Sequence, residues 1–280
     1  MIRRFALENE FGARYDLNDP TTGVFLSPQG LGFEFDSNYT SIGDSFIRDY
    51  LRNKQQTVSG TIAFESSKAY LNYQALNDFI NKSDSLKLLY STDAGDYYRD
   101  IDIVSINKSE LGHNKVLECP IKFICKSLFY ANHVNRFKIE RVEGEARWDF
   151  RWDVRFNDYG SRAVNVSNNG HVPAPFEMEI FGYCENPAVI VKQNGKEVAK
   201  VSFPTTLQDG EKIMYSSLDG NLYCYRVNTA GVRENFTSKL DLFSTNFFKL
   251  PVGDCQVEFT SDTGAANRTL LTVYKFFRTV

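Results

Sequence analysis

The chain has 280 residues, enough for two domains at about 150 residues each, and it can bury a core without metals or disulfides. Lys and Arg total 32 against 35 Asp and Glu, and this net charge of -3 argues against a nucleic-acid binder, whose affinity depends on basic side chains. No apolar run approaches the length of a membrane span, and acidic residues stand where a signal peptide needs an apolar stretch. We therefore expect a protein that is made and folds in a cytoplasm, without specific nucleic-acid binding and outside membranes.

The cysteines and histidines give no sign of a metal or cofactor site. No two of the five cysteines form a C-x-x-C pair, and the three histidines lack Cys, Asp or Glu at metal-ligand spacing. We predict that the cysteines are small buried side chains, and that the protein has no metal site and no cofactor. They are Cys119, Cys125, Cys184, Cys224 and Cys255.

The first half of the chain is predicted to be a β-sandwich-like domain with one helix. Aromatic residues, which favour strands, make up 14% of the sequence, and Gly, Asn, Asp and Ser clusters recur at hairpin intervals. Residues 57–64 alternate as a strand, and Gly60 within them marks a bulge or a close backbone approach. Residues 66–82 carry an apolar stripe of helical spacing that faces a core, and Ser66 or Ser67 is the expected N-cap.

The second half is predicted to be a β-sandwich. Residues 147–156 alternate between an apolar face, which includes Trp148 and Trp152, and a face of alternating charges, which we interpret as solvated. Further period-2 segments separated by Asn-Gly and Asp-Gly turns complete a set of short strands. The pattern lapses before them, so we place a first domain at 1–134, a junction at 135–146 and a second domain at 147–280.

No catalytic arrangement stands out. The nucleophile-elbow, zinc-protease, P-loop and dinucleotide-binding motifs are all missing from the sequence. Two carboxylate pairs, Asp100/Asp102 and Glu177/Glu179, have the composition of a glycosidase dyad, but an i,i+2 pair on a strand more often marks its solvent face. We therefore expect a protein that is not an enzyme.

Several motifs in a fixed order resemble a known family. Residues 23–32 (GVFLSPQGLG) are followed by Tyr39, Gly43 and Phe46, then by Gln55/Gln56, Gly60 and the aromatic helix. The second half adds Asn168-Asn169-Gly170, Pro173-Ala174-Pro175 and residues 247–253 (FFKLPVG), although Cys255 stands where many relatives have Asn. In this order the chain resembles the distal tail proteins of siphophages that infect Gram-positive bacteria.

The resemblance implies a structural protein of the virion tail tip, assembled in the host cytoplasm. Such proteins form a homo-hexameric ring with their N-terminal domains, between the major tail tube protein and the tail-tip hub or tail-associated protein. Their galectin-like or carbohydrate-module-like C-terminal sandwiches project outward, where receptor-binding or baseplate proteins attach.

Within this picture, a protruding hairpin that follows Gly30 and Gly32 is expected to reach the neighbouring subunit. Aromatic surface is what such an interface needs, although the same side chains would also suit the core of their own domain. The predicted subunit-interface residues are Leu31, Phe33, Phe35, Tyr39 and Phe46.

Two further residues are predicted to line the channel through the ring. A lumen that passes a genome should be neutral to acidic, because Lys and Arg would retard the duplex. Asp44 and Asp49 are the candidates, and Arg48 and Arg52 are the counter-evidence. These four side chains would alternatively pair with one another at the subunit interface.

A carbohydrate-binding module that contributes to host cell-wall attachment is the main alternative function. Sugar platforms need exposed aromatic side chains, whereas Trp148 and Trp152 share the face that we assign to the core. A wall-degrading glycosidase is a third reading, against which the lack of a carboxylate constellation counts.

Overall fold

A computed structural model describes residues 3–65, 67–113, 115–131, 135–140, 163–241, 245–262 and 268–280, with only the backbone for 135–140 and 268. The chain divides into two compact units. The first contains Met1–Asn132 and Phe277–Val280, and the second contains His133–Phe276. The last four residues group with the first unit, whereas the predicted second domain, 147–280, includes them.

The first unit is built from strands and one helix. In chain order they are β1 (Arg4–Asn9), β2 (Arg14–Asp16), β3 (Asn18–Asp19), β4 (Gly23–Gln29), β5 (Phe35–Ile42), β6 (Ser45–Asn53), β7 (Thr57–Glu65), α1 (Ala69–Asn81), β8 (Leu86–Thr92), β9 (Gly95–Ile106), β10 (Val116–Cys125) and β11 (Phe129–Ala131). Near the end of the chain, β24 (Phe276–Phe277) contributes its second residue to this unit.

One large antiparallel sheet forms the body of this unit. Its strands run in the order β2-β1-β8-β9-β10-β7-β4-β3, and β11 pairs with both β9 and β24. Leu17 connects the two ends of this sheet, because its N–H donates to the Phe5 carbonyl (3.0 Å) and its carbonyl accepts from the Phe25 N–H (2.8 Å). Most of the buried side chains of the sheet, with those of α1, make one apolar core, and Ala6, Leu89 and Tyr98 form a second, small cluster.

The helix confirms the prediction from its spacing, with a later start. It begins at Ala69, and Lys68 occupies the N-cap without a side-chain hydrogen bond. Ala69 and Leu76 are buried, while Tyr73 and Ile80 pack against the core from the same stripe. Ser66, one of the two expected caps, lies outside the described residues.

Gly60 is a position of close backbone approach, as its place inside a strand indicates. A Cβ atom there would lie 2.5 Å from Cε2 of Phe25 and 2.8 Å from the Leu26 carbonyl oxygen. The missing side chain therefore lets β4 pair with β7 while the Phe25 ring packs over the strand.

The second unit is entirely β apart from one short 3-10 helix in the residues that are described. Its elements are β12 (Asn135–Glu140), β13 (Ala163–Asn168), β14 (Phe176–Phe181), β15 (Cys184–Glu185), β16 (Ala188–Gln193), β17 (Lys196–Ser202), β18 (Thr206–Leu207), β19 (Lys212–Leu218), β20 (Asn221–Val227), β21 (Arg233–Asn235), the 3-10 turn Thr237–Lys239, β22 (Gly253–Thr260) and β23 (Arg268–Val273).

Two sheets share the core of this unit. One has the order β12-β23-β14-β19-β20-β21 and the other β13-β22-β16-β17, and both contribute to a single apolar cluster. The mainly β fold predicted from the sequence is thus confirmed, while its galectin-like character stays a prediction. Residues 135–140, which we assigned to the junction, form strand β12, and the predicted strand 147–156 lies outside the described residues.

The Asn-Asn-Gly motif at 168–170 has a structural explanation. The Asn168 side chain is completely buried, and its amide nitrogen lies within hydrogen-bond distance of the carbonyls of Val172, Leu250 and Pro251 (3.1–3.3 Å). The side-chain oxygen of Asn168, Oδ1, accepts from the Gly170 N–H (3.0 Å). Asn168 therefore ties β13 to the segment before β22, and a buried amide needs such partners.

All five cysteines are free and buried, which confirms the sequence prediction. Burial raises the pKa of the Cys184 thiol from 9.0 to about 11 and that of the Cys224 thiol from 9.0 to about 12. The unfolded chain therefore loses these two protons at a lower pH than the folded chain does. Their contribution to stability is complete below pH 9 and is lost as the pH rises through the folded-state values.

We accordingly expect the free energy of unfolding to fall between about pH 8 and about pH 10.5. Urea denaturation at the two pH values measures the difference. A double variant, Cys184→Ala with Cys224→Ala, is the control, because it removes both thiols and should show a smaller fall. An equal fall in the double variant would contradict the assignment to these two groups.

Candidate subunit interface

The residues predicted to contact a neighbour form a hairpin that stands apart from the large sheet. Strands β5 and β6 pair with each other as a separate two-stranded sheet, with Gly43 and Asp44 as the turn. Gly43 has a φ of 60°, a conformation that glycine adopts at low cost. From Ser37 to Asn53 every side chain of the two strands is exposed.

The register defines two faces of this hairpin. Alternate residues of a strand point to opposite sides, and directly paired residues share a side. A bulge interrupts the alternation, because Asn38 pairs with Tyr50 and the next residue, Tyr39, pairs with Arg48, so that Asp49 is the extra residue. One face, called the apolar face below, carries Phe35, Ser37, Tyr39, Ser41, Phe46, Arg48, Leu51 and Asn53.

On the opposite face, called the polar face, the charged side chains pair or hydrogen-bond with other residues of the hairpin. The Arg52 guanidinium pairs with the Asp36 carboxylate at 2.8 Å and lies 5.0 Å from the centre of the Tyr50 ring. The Asp49 carboxylate accepts from the Asn38 amide (2.9 Å) and from the Thr40 hydroxyl (2.9 Å). These contacts need nothing from outside the hairpin, although Ile42 and Ile47 also lie on this face near the tip.

The apolar face has large side chains with little to cover them. Tyr39 is 52% exposed, Phe46 is 73% exposed and Leu51 is 40% exposed. Large apolar side chains that are exposed on one face are typical of interaction sites. Tyr39 and Phe46 therefore do not fill the core of their own domain, which was the alternative left open by the sequence.

The other three predicted interface residues lie at the root of the hairpin. Leu31 is half-buried and packs against the core of the first unit. Phe33 is 51% exposed and its ring contacts that of Phe35 edge-on, with 5.3 Å between the centroids. Phe35 is half-buried and lies under the guanidinium of Arg278 at 5.1 Å. Sequence reasoning missed Leu51 and Arg278.

Gly30 and Gly32 play different parts at this root. Gly30 has a φ of 80°, and a Cβ atom on it would lie 1.9 Å from the Thr57 carbonyl oxygen. Gly32 has open space around it and no such backbone conformation. The backbone geometry therefore requires glycine at position 30 but not at position 32. Gly30 lies at the point where the chain leaves β4 and passes the start of β7.

The predicted lumen residues are both exposed on the hairpin. Asp44 lies in the turn, and Asp49 is the bulge residue that accepts from Asn38 and Thr40. Of the two basic residues nearby, Arg52 pairs with Asp36, and Arg48 has no ion-pair partner among the residues that the structure describes. Glu34 and Lys54 also pair, at 2.7 Å, so most charges around the root are neutralised locally.

The carboxylate pairs that were considered for catalysis have ordinary partners. Asp100 accepts from the Tyr130 hydroxyl (2.9 Å), and Asp102 pairs with Lys126 (3.0 Å). Glu177 accepts from the Tyr274 hydroxyl (2.6 Å), and Glu179 lies 3.5 Å from Lys212. In the described part of the chain no three His, Cys, Asp or Glu side chains are placed to hold a metal ion, and no helix is long and apolar enough to cross a membrane.

Comparison with known proteins gives one family and one fold. Residues 4–126 match the family described as "Distal tail protein, N-terminal domain", which confirms the resemblance predicted from the sequence. No curated protein matches the chain in sequence.

Two solved structures share the fold over nearly the whole chain. A chain of the phage P2 baseplate, in its activated conformation with Ca, has a TM-score of 0.62 and 15% identity, with 100% of both chains covered. The crystal structure of the SPP1 Dit protein, described as a paradigm of hub adsorption apparatus in Gram-positive infecting phages, has a TM-score of 0.64 and 9% identity. There the match covers 96% of this chain and 98% of that one.

Proposed function

We propose that this chain is a structural protein of the phage tail and baseplate rather than an enzyme, and that it assembles as a homo-hexameric ring at the distal end of the tail. The match of residues 4–126 to the distal tail protein N-terminal domain supports this proposal. The ring joins the tail tube to the tail-tip hub or baseplate. The observation that carries this proposal is the apolar face of a hairpin that pairs with no other strand among the described residues.

The partner that we infer for the apolar face of the hairpin is a second copy of this chain. A hairpin that docks on the next copy makes a heterologous contact, and such contacts close into a ring when the rotation between copies fits. Burial of a Leu or Phe side chain contributes about 1.5–3 kcal/mol. The exposed Tyr39, Phe46 and Leu51 therefore supply the driving force for one contact, which a hexamer repeats six times.

The polar face has a separate part in this proposal. The charges of Arg52, Asp36 and Asp49 already have partners within the hairpin, so these groups can remain in water while the apolar face is covered, although the exposed Ile42 and Ile47 also lie on the polar face. Asp44 and Asp49 place acidic side chains at the turn and the bulge, and we assign them to the channel of the ring. Six copies of a chain with a net charge of -3 carry -18, which suits a channel that lets duplex DNA pass.

The two partners along the tail axis are the major tail tube protein on one side and the tail-tip hub or tail-associated protein on the other. The second unit is then a galectin-like sandwich to which receptor-binding or other baseplate proteins attach. The fold shared with a chain of the P2 baseplate and with the SPP1 hub protein supports this placement.

Electron microscopy of tail tubes mixed with the purified chain tests the proposal. We expect one additional ring at one end of each tube, and no retention of duplex DNA by the ring at physiological salt. Decoration along the tube wall, or strong binding of DNA by the ring, would contradict the proposed position and the assigned channel.

A further inference from the structure

The direction of the hairpin depends on a small number of contacts at its root. Strands β5 and β6 have 8 and 9 residues, which at 3.3 Å per residue makes a lever about 26–30 Å long. An isolated two-stranded hairpin is marginally stable in water. A rotation of about 10° at the root would move the tip by about 5 Å, which is enough to take side chains out of contact.

One side chain from the end of the sequence holds both strands at this root. Phe35 and Asn53 are the first register pair of the hairpin. The Arg278 guanidinium carbon lies 5.1 Å from the centre of the Phe35 ring, and Nε of Arg278 donates to Oδ1 of Asn53 at 3.0 Å. Arg278 therefore stacks on one strand and hydrogen-bonds to the other at the same level.

The backbone beside Arg278 is anchored in the large sheet. Phe277 belongs to β24, which pairs with β11, and β11 in turn pairs with β9. The Phe277 ring contacts that of Tyr97 edge-on, with 5.5 Å between the centroids. A continuous set of contacts therefore runs from the sheet, through Arg278, to the first pair of the hairpin.

The geometry requires arginine rather than a positive charge alone. The planar guanidinium can stack on a ring and donate in its own plane at the same time, whereas the ammonium of lysine is a compact point charge. The two contacts to Phe35 and Asn53 are thus of the kind that a lysine does not reproduce.

We propose that Arg278 is a positioning residue that fixes the angle of the hairpin on the first unit, so that the apolar face meets the next copy. This inference rests on the proposed ring for its consequence, but its structural part concerns a single chain. Arg278 contacts the hairpin at its root, and its effect on assembly passes through Phe35 and Asn53.

Hydrogen exchange on the full-length chain, at a concentration where it is monomeric, tests the structural part. In Arg278→Gln we expect the amides of β5 and β6 nearest the root to exchange about tenfold faster, because a stacked cation and a hydrogen bond are lost. Exchange in β9 and β10 should remain unchanged. Arg278→Lys should resemble Arg278→Gln, since it keeps the charge without the planar group.

The matched control is Arg226→Gln, which removes an arginine ion pair with Glu211 in the second unit. It should leave both the exchange of the hairpin and the concentration needed for assembly unchanged. Both Arg278 variants should raise the assembly concentration about tenfold or more.

Three results would overturn the inference. Unchanged exchange of the hairpin in Arg278→Gln would do so, whether or not the chain assembles. Faster exchange throughout the large sheet would show a general structural role instead. Full rescue by Arg278→Lys would show that charge alone suffices. If the native chain never assembles, the ring fails as a function, whereas the exchange comparison still decides the role of Arg278.

Discussion

Replacing Tyr39, Phe46 and Leu51 together by serine is expected to leave the chain folded and to abolish assembly of the ring. The three side chains are exposed on the hairpin, so their loss takes little from the core of the monomer. At a subunit interface, aromatic anchors often contribute about 2 kcal/mol or more each, and the loss recurs at every contact of the ring. Circular dichroism reports the fold, and light scattering reports the oligomer.

A matched variant separates this effect from a general loss of apolar surface. Val198, Leu222 and Val232 are exposed side chains of the second unit, and their replacement by serine should leave assembly intact. Assembly of the hairpin variant at the native concentration would refute the role of the apolar face. Loss of its β signal would instead show that these side chains support the fold.

Replacing Gly30 by alanine is expected to destabilise the first unit strongly, whereas the same change at Gly32 should have little effect. At Gly30 the new Cβ would lie 1.9 Å from the Thr57 carbonyl oxygen, with a φ of 80°. Backbone there cannot move without disturbing the start of β7, so we expect a cost of about 2 kcal/mol or more. Gly32 has open space around it, so an added methyl group meets no other atoms. Alanine there also restricts the unfolded chain, which slightly favours the folded state.

Thermal unfolding of the two variants beside the native chain measures this difference. The Gly30→Ala variant should unfold at a clearly lower temperature, with the Gly32→Ala variant within a degree or two of the native chain (about 0.5 kcal/mol or less). Similar midpoints for both variants would show that the root of the hairpin relaxes around the added methyl group.

The sequence predicts those elements that depend on neighbours along the chain. Ala69 and Leu76 share a helical stripe whose period is visible without any tertiary information. Gly60 stands out because a strand interior seldom tolerates glycine without a packing reason, and Phe25 provides that reason. The helix and the close approach could therefore both be predicted before the fold was known.

The interface residues are harder to predict, because cores and interfaces select the same side chains. Leu31 and Phe46 are both apolar residues near the same glycines, yet Leu31 packs on the core and Phe46 is 73% exposed. Leu51 joins the apolar face only through the cross-strand register and the bulge at Asp49, which no local pattern reveals. Arg278 contacts Asn53 across 225 residues of sequence.

Native mass spectrometry of the purified full-length chain, alone and in the presence of tail tubes, tests the central claim most directly. The ring predicts a species of six copies of the 32.0 kDa chain, about 192 kDa. It should form in solution or, if the tube end is needed as a template, on the tube alone. A chain that remains monomeric under both conditions, or that forms dimers through the second unit, would contradict the account.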